Sequence, residues 1–326
     1  MTRSPQRQKG IALLTVLLIL AVMVIIASNM SSRLQLELRR TSNLITHQQA
    51  LWYAYGAEEL VEKALKATLK DDDTINLDQY WAIEEMIYPV ENGQIGGQVF
   101  DMQACFNVNA VTGQDNADGL APLAVRQFRH LMELLDIEAY DAEQLGDALR
   151  DWIDADSNVV SSYGVEDAYY ESLDYPYQVG NQALINGSEL RAIKGFNKAV
   201  YRKVRPYLCA LPTTALKLNV NTIAVDKPEI LASLFMGKLS IDQARSILEQ
   251  RPSSGWASVS DFLVLPEVTG ITLTTEEKST FAIKSEYFIA QLQAEFATAA
   301  IKIESLFKAE GKDTVYVIRR QFGGAQ

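Results

Sequence analysis

"RSPQRQKGIALLTVLLILAVMVIIASNMSS", residues 3–32, decides how the chain is read. Arg3, Arg7 and Lys9 make a basic leader, Gly10 interrupts it, and an apolar run of 17 residues follows from Ile11 to Ala27. As a helix rising about 1.5 Å per residue the run is about 26 Å long, close to the bilayer core of about 30 Å. It exceeds the usual apolar stretch of a secretory signal, and Ile25 sits where a cut after Ala27 would want a small side chain. The run therefore reads as a retained membrane helix.

Residues 31–73 contain no proline and a single glycine, Gly56, so the helix continues past the membrane. Ala54, Ala57, Val61, Ala64, Leu65 and Leu69 recur at helical spacing, with Glu58, Glu62, Lys63 and Lys66 on the other face. Asp71–Asp73 end a helix of about 60 residues. Further on, "GGQVFDMQACFNVNAV" (96–111) and "AQLQAEF" (290–296) alternate as strands do, and "EGKD" (310–313) turns into "TVYVIRR" as a hairpin. Strands at about 95–111 and 286–323 thus flank a mostly helical stretch. Within that stretch "FNVNAV" (106–111) is echoed by "LNVNTI" (218–223), each followed by helical patterns.

A net charge of −11 argues against a phosphate backbone as partner and suits divalent cations. Two cysteines, Cys105 and Cys209, are too few and too far apart for zinc; a single long-range disulfide and two buried thiols both stay open. His47 and His130 are the only histidines, and the serines lack a nucleophile context, so no enzyme is expected. The chemically distinctive stretch is "DWIDADSNVVSSYGVEDAYYESLD" (151–174). Asp154, Asp156 and Asn158 stand at the i, i+2, i+4 spacing that opens a calcium loop, though Val159 and Val165 occupy positions that an EF-hand gives to glycine and glutamate. Glu166 and Asp167 follow Gly164 and offer closing ligands, with Asp151 and Asp174 as outer candidates.

Lys9 and Gly10 followed at once by "IALLTVLLIL" resemble the class III leader of type IV pilins and type II secretion pseudopilins. The resemblance implies that a prepilin peptidase cuts between Gly10 and Ile11 and that Ile11 becomes an N-methylated terminus. Thr15 stands where most of that family carry a glutamate, which is expensive in lipid. This departure resembles the K-type minor pseudopilins in particular. "QQALWYAYGAEELVEKAL" (48–65), "FNVNAV", "LRDWIDAD" (149–156), "GVEDAYYESLDYPY" (164–177) and "SELRAIKGF" (188–196) are similar to K-type sequence as well.

The resemblance implies an α+β fold: a long N-terminal transmembrane helix and a pilin-like antiparallel sheet, with a large helical domain of helix-hairpin-helix/SAM-like type inserted. The expected organisation is a cleaved leader at 1–10, a membrane segment at 11–30, a periplasmic helix at 31–70, the β domain at 71–111 and 286–326, and the insert at 112–285. It also implies a single-pass protein of the bacterial inner membrane with a periplasmic head. That protein would cap the pseudopilus tip, initiate assembly with other minor pseudopilins, and meet the exoprotein or the secretin there. Structural calcium is implied in the helical domain. "ILEQRPSSGWASVSDFLVLPEVTG" (247–270) also resembles helix-hairpin-helix modules, the basis of a rival reading as a membrane-anchored DNA-binding protein. "LFMGKLS" (234–240) lacks the glycine-rich hairpin such modules use, and no nucleic-acid partner is expected.

Overall fold

A computed structural model describes residues 10–84 and 86–323; the basic leader before Gly10 and residues 324–326 lie outside them. Helix α1 runs from Ile11 to Asp71 without a break, and its membrane part has no buried residue. Four strands follow it into one sheet from two distant parts of the chain, and a fifth closes it. These are β1 Met86–Val90, β2 Gly93–Asp101, β7 Tyr287–Phe296, β8 Ala299–Glu310 and β9 Thr314–Phe322, in the spatial order β1-β2-β7-β8-β9 and antiparallel throughout.

Alanines let α1 lie close on this sheet. Ala50, Ala54 and Ala57, with Leu65, are buried against Phe288, Ala290, Leu292 and Ala294 of β7 and Ile301, Ile303 and Phe307 of β8. One charge lies within this seam: Glu58 accepts from Arg320 Nε at 2.7 and 2.9 Å and from the Ser305 hydroxyl, and the Arg320 guanidinium sits over Tyr55. The pair fixes β9, the last strand, to the helix.

Between β2 and β7 the chain leaves the sheet and forms the helical insert. Its elements are β3 Phe106–Asn107, α2 Leu123–Leu134, α3 Ala139–Ile153, α4 Asp167–Tyr170, α5 Lys198–Val204, β4 Leu208–Cys209, β5 Leu218–Asn219, α6 Pro228–Leu234, α7 Ile241–Glu249, α8 Val259–Leu263, α9 Pro266–Thr269, α10 Thr275–Ser279 and β6 Phe281–Ala282. The sequence echo is a structural repeat. β3 pairs in parallel with β4, and β5 in parallel with β6. In each copy the second asparagine clamps the backbone of a distant residue through both its N–H and its C=O: Asn109 holds Leu184, and Asn221 holds Trp256. A disulfide between Cys105 and Cys209, with Cα atoms 5.8 Å apart, closes the first copy at its base.

Three details depart from the strand pattern expected of the sequence. The first long strand ends at Asp101, because residues 102–105 turn to bring Cys105 against Cys209. The region after Glu286 holds three strands where one hairpin was expected: β7 and β8 are joined through Ala297 at φ 50° and Thr298, a turn with no glycine or asparagine to announce it. β1 contains Pro89 and is an edge strand, where a missing ladder donor is tolerated.

The insert joins the sheet at a definite end. Ile75 N, just past the end of α1, donates to Ile283 O at 2.9 Å, and Asp101 and Phe288 are register partners there. The opposite end of the sheet, at Phe296, packs on Tyr53, which lies about 30 Å back along α1 toward its apolar part. The helical mass therefore sits at the end of the head farthest from the membrane segment. At the junction Asp101 is fully buried and accepts from Gln103 N, Asn219 Nδ2, Thr222 Oγ1 and Ser285 Oγ. Replacing Asp101 by alanine leaves the Ser285 hydroxyl and the Gln103 N–H without an acceptor, each at about 1–3 kcal/mol, whereas Asn219 keeps Ile75 O and Thr222 keeps Asn219 O. We expect Asp101→Ala to lower the unfolding midpoint by roughly 6 °C or more and Asp101→Asn to cost clearly less, as read by thermal denaturation.

Candidate metal centre

Helix α3 presents Asp147 and Asp151 at i and i+4, and its C-cap Asp154 follows at i+7, so the three start from one face. The first is neutralised within the fold. Asp147 Oδ1 lies 2.7 Å from Arg129 Nη2 and 3.4 Å from Arg150 Nη1, and its Oδ2 accepts from Ser161 Oγ at 2.6 Å. Arg150 in turn bonds Gly113 O and Asp115.

Among the described residues no cation forms an ion pair with the next two, although the Arg150 charge acts on Asp154 from a distance. Asp151 Oδ1 accepts from Val160 N at 3.0 Å, but its Oδ2 is buried without a partner. The same holds for Asp154 Oδ1 and for both oxygens of Glu166, which the chain brings back just before α4. Four orphaned carboxylate oxygens from three residues therefore share one region, in a class of atom that is almost always satisfied in folded proteins. Gly164 is required by this crowding, since a Cβ there would stand 2.2 Å from Asp151 Oδ2.

The electrostatics agree. Burial, followed by the neighbouring charges of Asp151, Asp154, Asp167 and Asp156, pushes the Glu166 carboxyl up to about 7. Burial, then Asp154 and Asp147, raises Asp151 to about 6, while burial and then Asp156 raise Asp154. Such a group is relieved either by protons or by a cation with a preference for oxygen ligands. Among the described residues no three acidic, histidine or cysteine side chains are yet gathered tightly enough to hold an ion as they stand. By chemistry the set, three carboxylates with four unpartnered oxygens, is of the kind that suits a hard cation.

The remaining residues of the expected set lie around this core. Asp156 Oδ1 accepts from Asn158 N and Nδ2 at 2.8 and 2.9 Å in an exposed turn, and Asp167 Oδ1 accepts from Val179 N at 2.9 Å. Asp174 is exposed and is not among the charges acting on Glu166. Asp151, an outer candidate in the sequence, stands among the central three. The helical spacing from Asp147 was the signal that marked it. Aromatic packing braces the loop: Tyr163 meets Tyr140, and Tyr170 meets Trp152 and Tyr177. Elsewhere in the insert, Lys238 of the hairpin between α6 and α7 is engaged by Glu277 at 2.7 Å and Thr272 O at 3.1 Å.

Comparison with known proteins is consistent across sequence and structure. Two family models described as "Type II secretion system (T2SS), protein K" match residues 104–213 and 218–284, meeting between the two copies of the repeat. The chain is 44% identical to the type II secretion system protein K of Aeromonas hydrophila, over 99% of each chain. It is 39% identical to that of Pectobacterium carotovorum subsp. carotovorum, over 98% of this chain and 97% of the relative. The crystal structure of the GspK-GspI-GspJ complex from enterotoxigenic Escherichia coli contains a chain with TM-score 0.80 and 34% identity, covering 88% of this chain and 100% of that one.

The raised carboxyls give stability a definite pH dependence. Their folded pKa values lie above the unfolded ones of about 4, so between about pH 4 and pH 7 the folded state holds more protons and stability falls as pH rises. In the presence of a chelator, the unfolding midpoint should rise by a few degrees from pH 7.5 to pH 5.5. Glu166→Gln should flatten that rise, as followed by thermal denaturation across the range.

Proposed function

The chain belongs to the type II secretion system protein K family, the minor pseudopilins of that machinery, and from this premise we propose that it caps the membrane-distal tip of the pseudopilus. It would also initiate assembly with the other minor pseudopilins, in support of protein export across the outer membrane. The observation that carries this reading is the place of the insert. Phe106 to Ala282 hang from the end of the sheet farthest from the membrane segment, where their bulk would stand in the way of a further subunit stacking beyond them.

Assembly would use α1. Leu34, Leu38, Ile45 and Trp52, the last 68% exposed, fall on the face opposite the alanines that meet the sheet. An apolar stripe that begins in lipid and continues into water suits a second helix of the same kind. The solved relative is a complex with GspI and GspJ, which supports partners of that class here. The anchor would hold the protein in the inner membrane with its head in the periplasm, where the tip could reach exoprotein or secretin. Processing by a prepilin peptidase would fall between Gly10, in a left-handed conformation at φ 95°, and Ile11, where α1 begins. The mass of the N-terminal peptide from membrane-extracted protein, produced with and without the peptidase, tests this. N-methylated Ile11 only with the peptidase is the expected result, and an uncut Met1 in both would refute it.

Structural calcium is part of the same proposal. Asp151, Asp154 and Glu166 would hold it, with Asp156, Asp167, Asn158 and Asp174 in reserve around them; the ion would supply the positive charge that these carboxylates lack. Through binding to the folded state alone, calcium at a hundred times its dissociation constant adds about 2.7 kcal/mol. We expect millimolar calcium to raise the unfolding midpoint at pH 7.5 by several degrees, magnesium to do much less, and Glu166→Gln to abolish the calcium effect. An unchanged midpoint would count against the site.

A further inference from the structure

The face of the sheet turned away from α1 carries two depressions that prove to be ends of one trough. The first, about 550 Å³, lies over β2, β7 and β8 and is floored by Gln94, Gln98, Gln291 and Gln293. The second, about 530 Å³, lies where the sheet passes beneath the insert, walled by Phe100, Arg205, Lys227 and Arg319. Gln98, Gln291, Glu304 and Gly323 line both, so the floor is continuous.

The two ends differ in charge. On the open sheet, Glu295 accepts from the amides of Gln94 at 2.9 Å and Gln293 at 2.7 Å, with Lys302 lining the same depression. Beneath the insert, Arg205, Lys227 and Arg319 take part in none of the ion pairs formed among the described residues. Acids stand in the same lining without pairing with them: Asp101 is buried under its four donors, Glu304 accepts from Gln291 at 3.3 Å, and Glu84 is exposed at the rim, while Asp226 and Glu229 flank Lys227 in sequence. Three cations around one cleft, none of them in an ion pair among the described residues, are open to direct pairing with carboxylates brought by a ligand. Two exposed apolar side chains, Leu77 and Phe100, stand at the same end.

The floor points to a peptide. This fold already uses side-chain amides to hold extended backbone, at Asn109 with Leu184 and at Asn221 with Trp256. On the trough, the NH2 groups of Gln94, Gln291 and Gln293 turn to Glu295 and Glu304. Their carbonyl oxygens accept nothing among the described residues and are available to a backbone N–H. No aromatic ring lines the sheet end, so a sugar chain would lack a surface to stack on there.

We propose that this trough binds an extended acidic polypeptide segment of a partner protein. Its backbone lies along the amide floor, and its carboxylates, beside an apolar side chain, lie among Arg205, Lys227 and Arg319. The inference needs only the head and stands independently of the tip reading.

The test uses the full chain in detergent and three fluorescently labelled probes read by anisotropy. One is a glycine-serine decapeptide with Leu-Asp-Asp-Asp at its centre, the second carries asparagine in place of each aspartate, and the third is a neutral chitooligosaccharide. The acidic peptide should bind about tenfold or more tightly than the asparagine peptide at low salt and weaken as salt rises. Arg205→Gln with Lys227→Gln should remove most of that preference while leaving the unfolding midpoint unchanged. This pair leaves Arg319 and its bond to Ile185 O in place, so the loop it holds is not disturbed. Equal binding of the two peptides, no binding of either, preference for the oligosaccharide, or full binding by the double variant would each overturn the proposal.

Discussion

The architecture depends on one buried carboxylate. Asp101 ends β2 at the point where the chain leaves the sheet, and its four donors come from both sides of the junction. Gln103 lies on the departing chain, Asn219 and Thr222 begin the second repeat, and Ser285 is on the returning chain. Asn219 Nδ2 also bonds Ile75 O and Ser285 Oγ, so the end of the helix region enters the same network. Burial raises the Asp101 carboxyl's pKa, and the hydroxyl, backbone and amide donors oppose that rise. A fully bonded polar node inside an apolar junction has few alternative arrangements, and this specifies how the helical insert sits on the sheet.

The acidic loop is the counterpart of that node. Asp101 has a donor for each demand, whereas buried Asp151 and Glu166 and half-buried Asp154 carry buried oxygens with no partner among the described residues. Asp147, one turn earlier on α3, shows that the fold can neutralise a carboxylate with arginines when the charge is structural. The contrast between neighbours on one helical face marks where the chain leaves carboxylates unanswered, and this is the ground on which calcium is proposed there.

Much of this was legible in the sequence because it rests on period. The apolar run and the alanine stripe mark α1, which ends at Asp71 as the acidic cluster suggested, and strict alternation marks β7. What escaped rests on tertiary contact. Ala297 turns a hairpin that its own residue type does not favour, held by a bond from its N–H to Asn92 O in the neighbouring hairpin. Within the loop, a linear i, i+2, i+4 pattern gives Asp154, Asp156 and Asn158 equal standing. The structure separates them, because α3 persists to Ile153 and sets Asp151 and Asp154 on one face, while Asp156 and Asn158 bond each other in the solvent.

The repeat explains why the acidic loop can be a device of its own. In the first copy the clamping asparagine and its peptide partner are 75 residues apart, at Asn109 and Leu184; in the second, Asn221 and Trp256, they are 35 apart. Both copies close the same kind of parallel bridge and the same amide clamp, so the shorter one shows what the unit needs in order to fold. The additional length of the first copy includes the segment from Asp154 to Gly180, with Glu166, Asp167 and the tyrosines packed on Trp152. A segment that the sister copy folds without here adds Val165, Tyr170 and Val179 to the core, while carboxylate oxygens of Asp154 and Glu166 are left unmet by that core. The calcium proposed for this segment would therefore act on an addition to the repeat unit, in the part of the head farthest from the membrane segment.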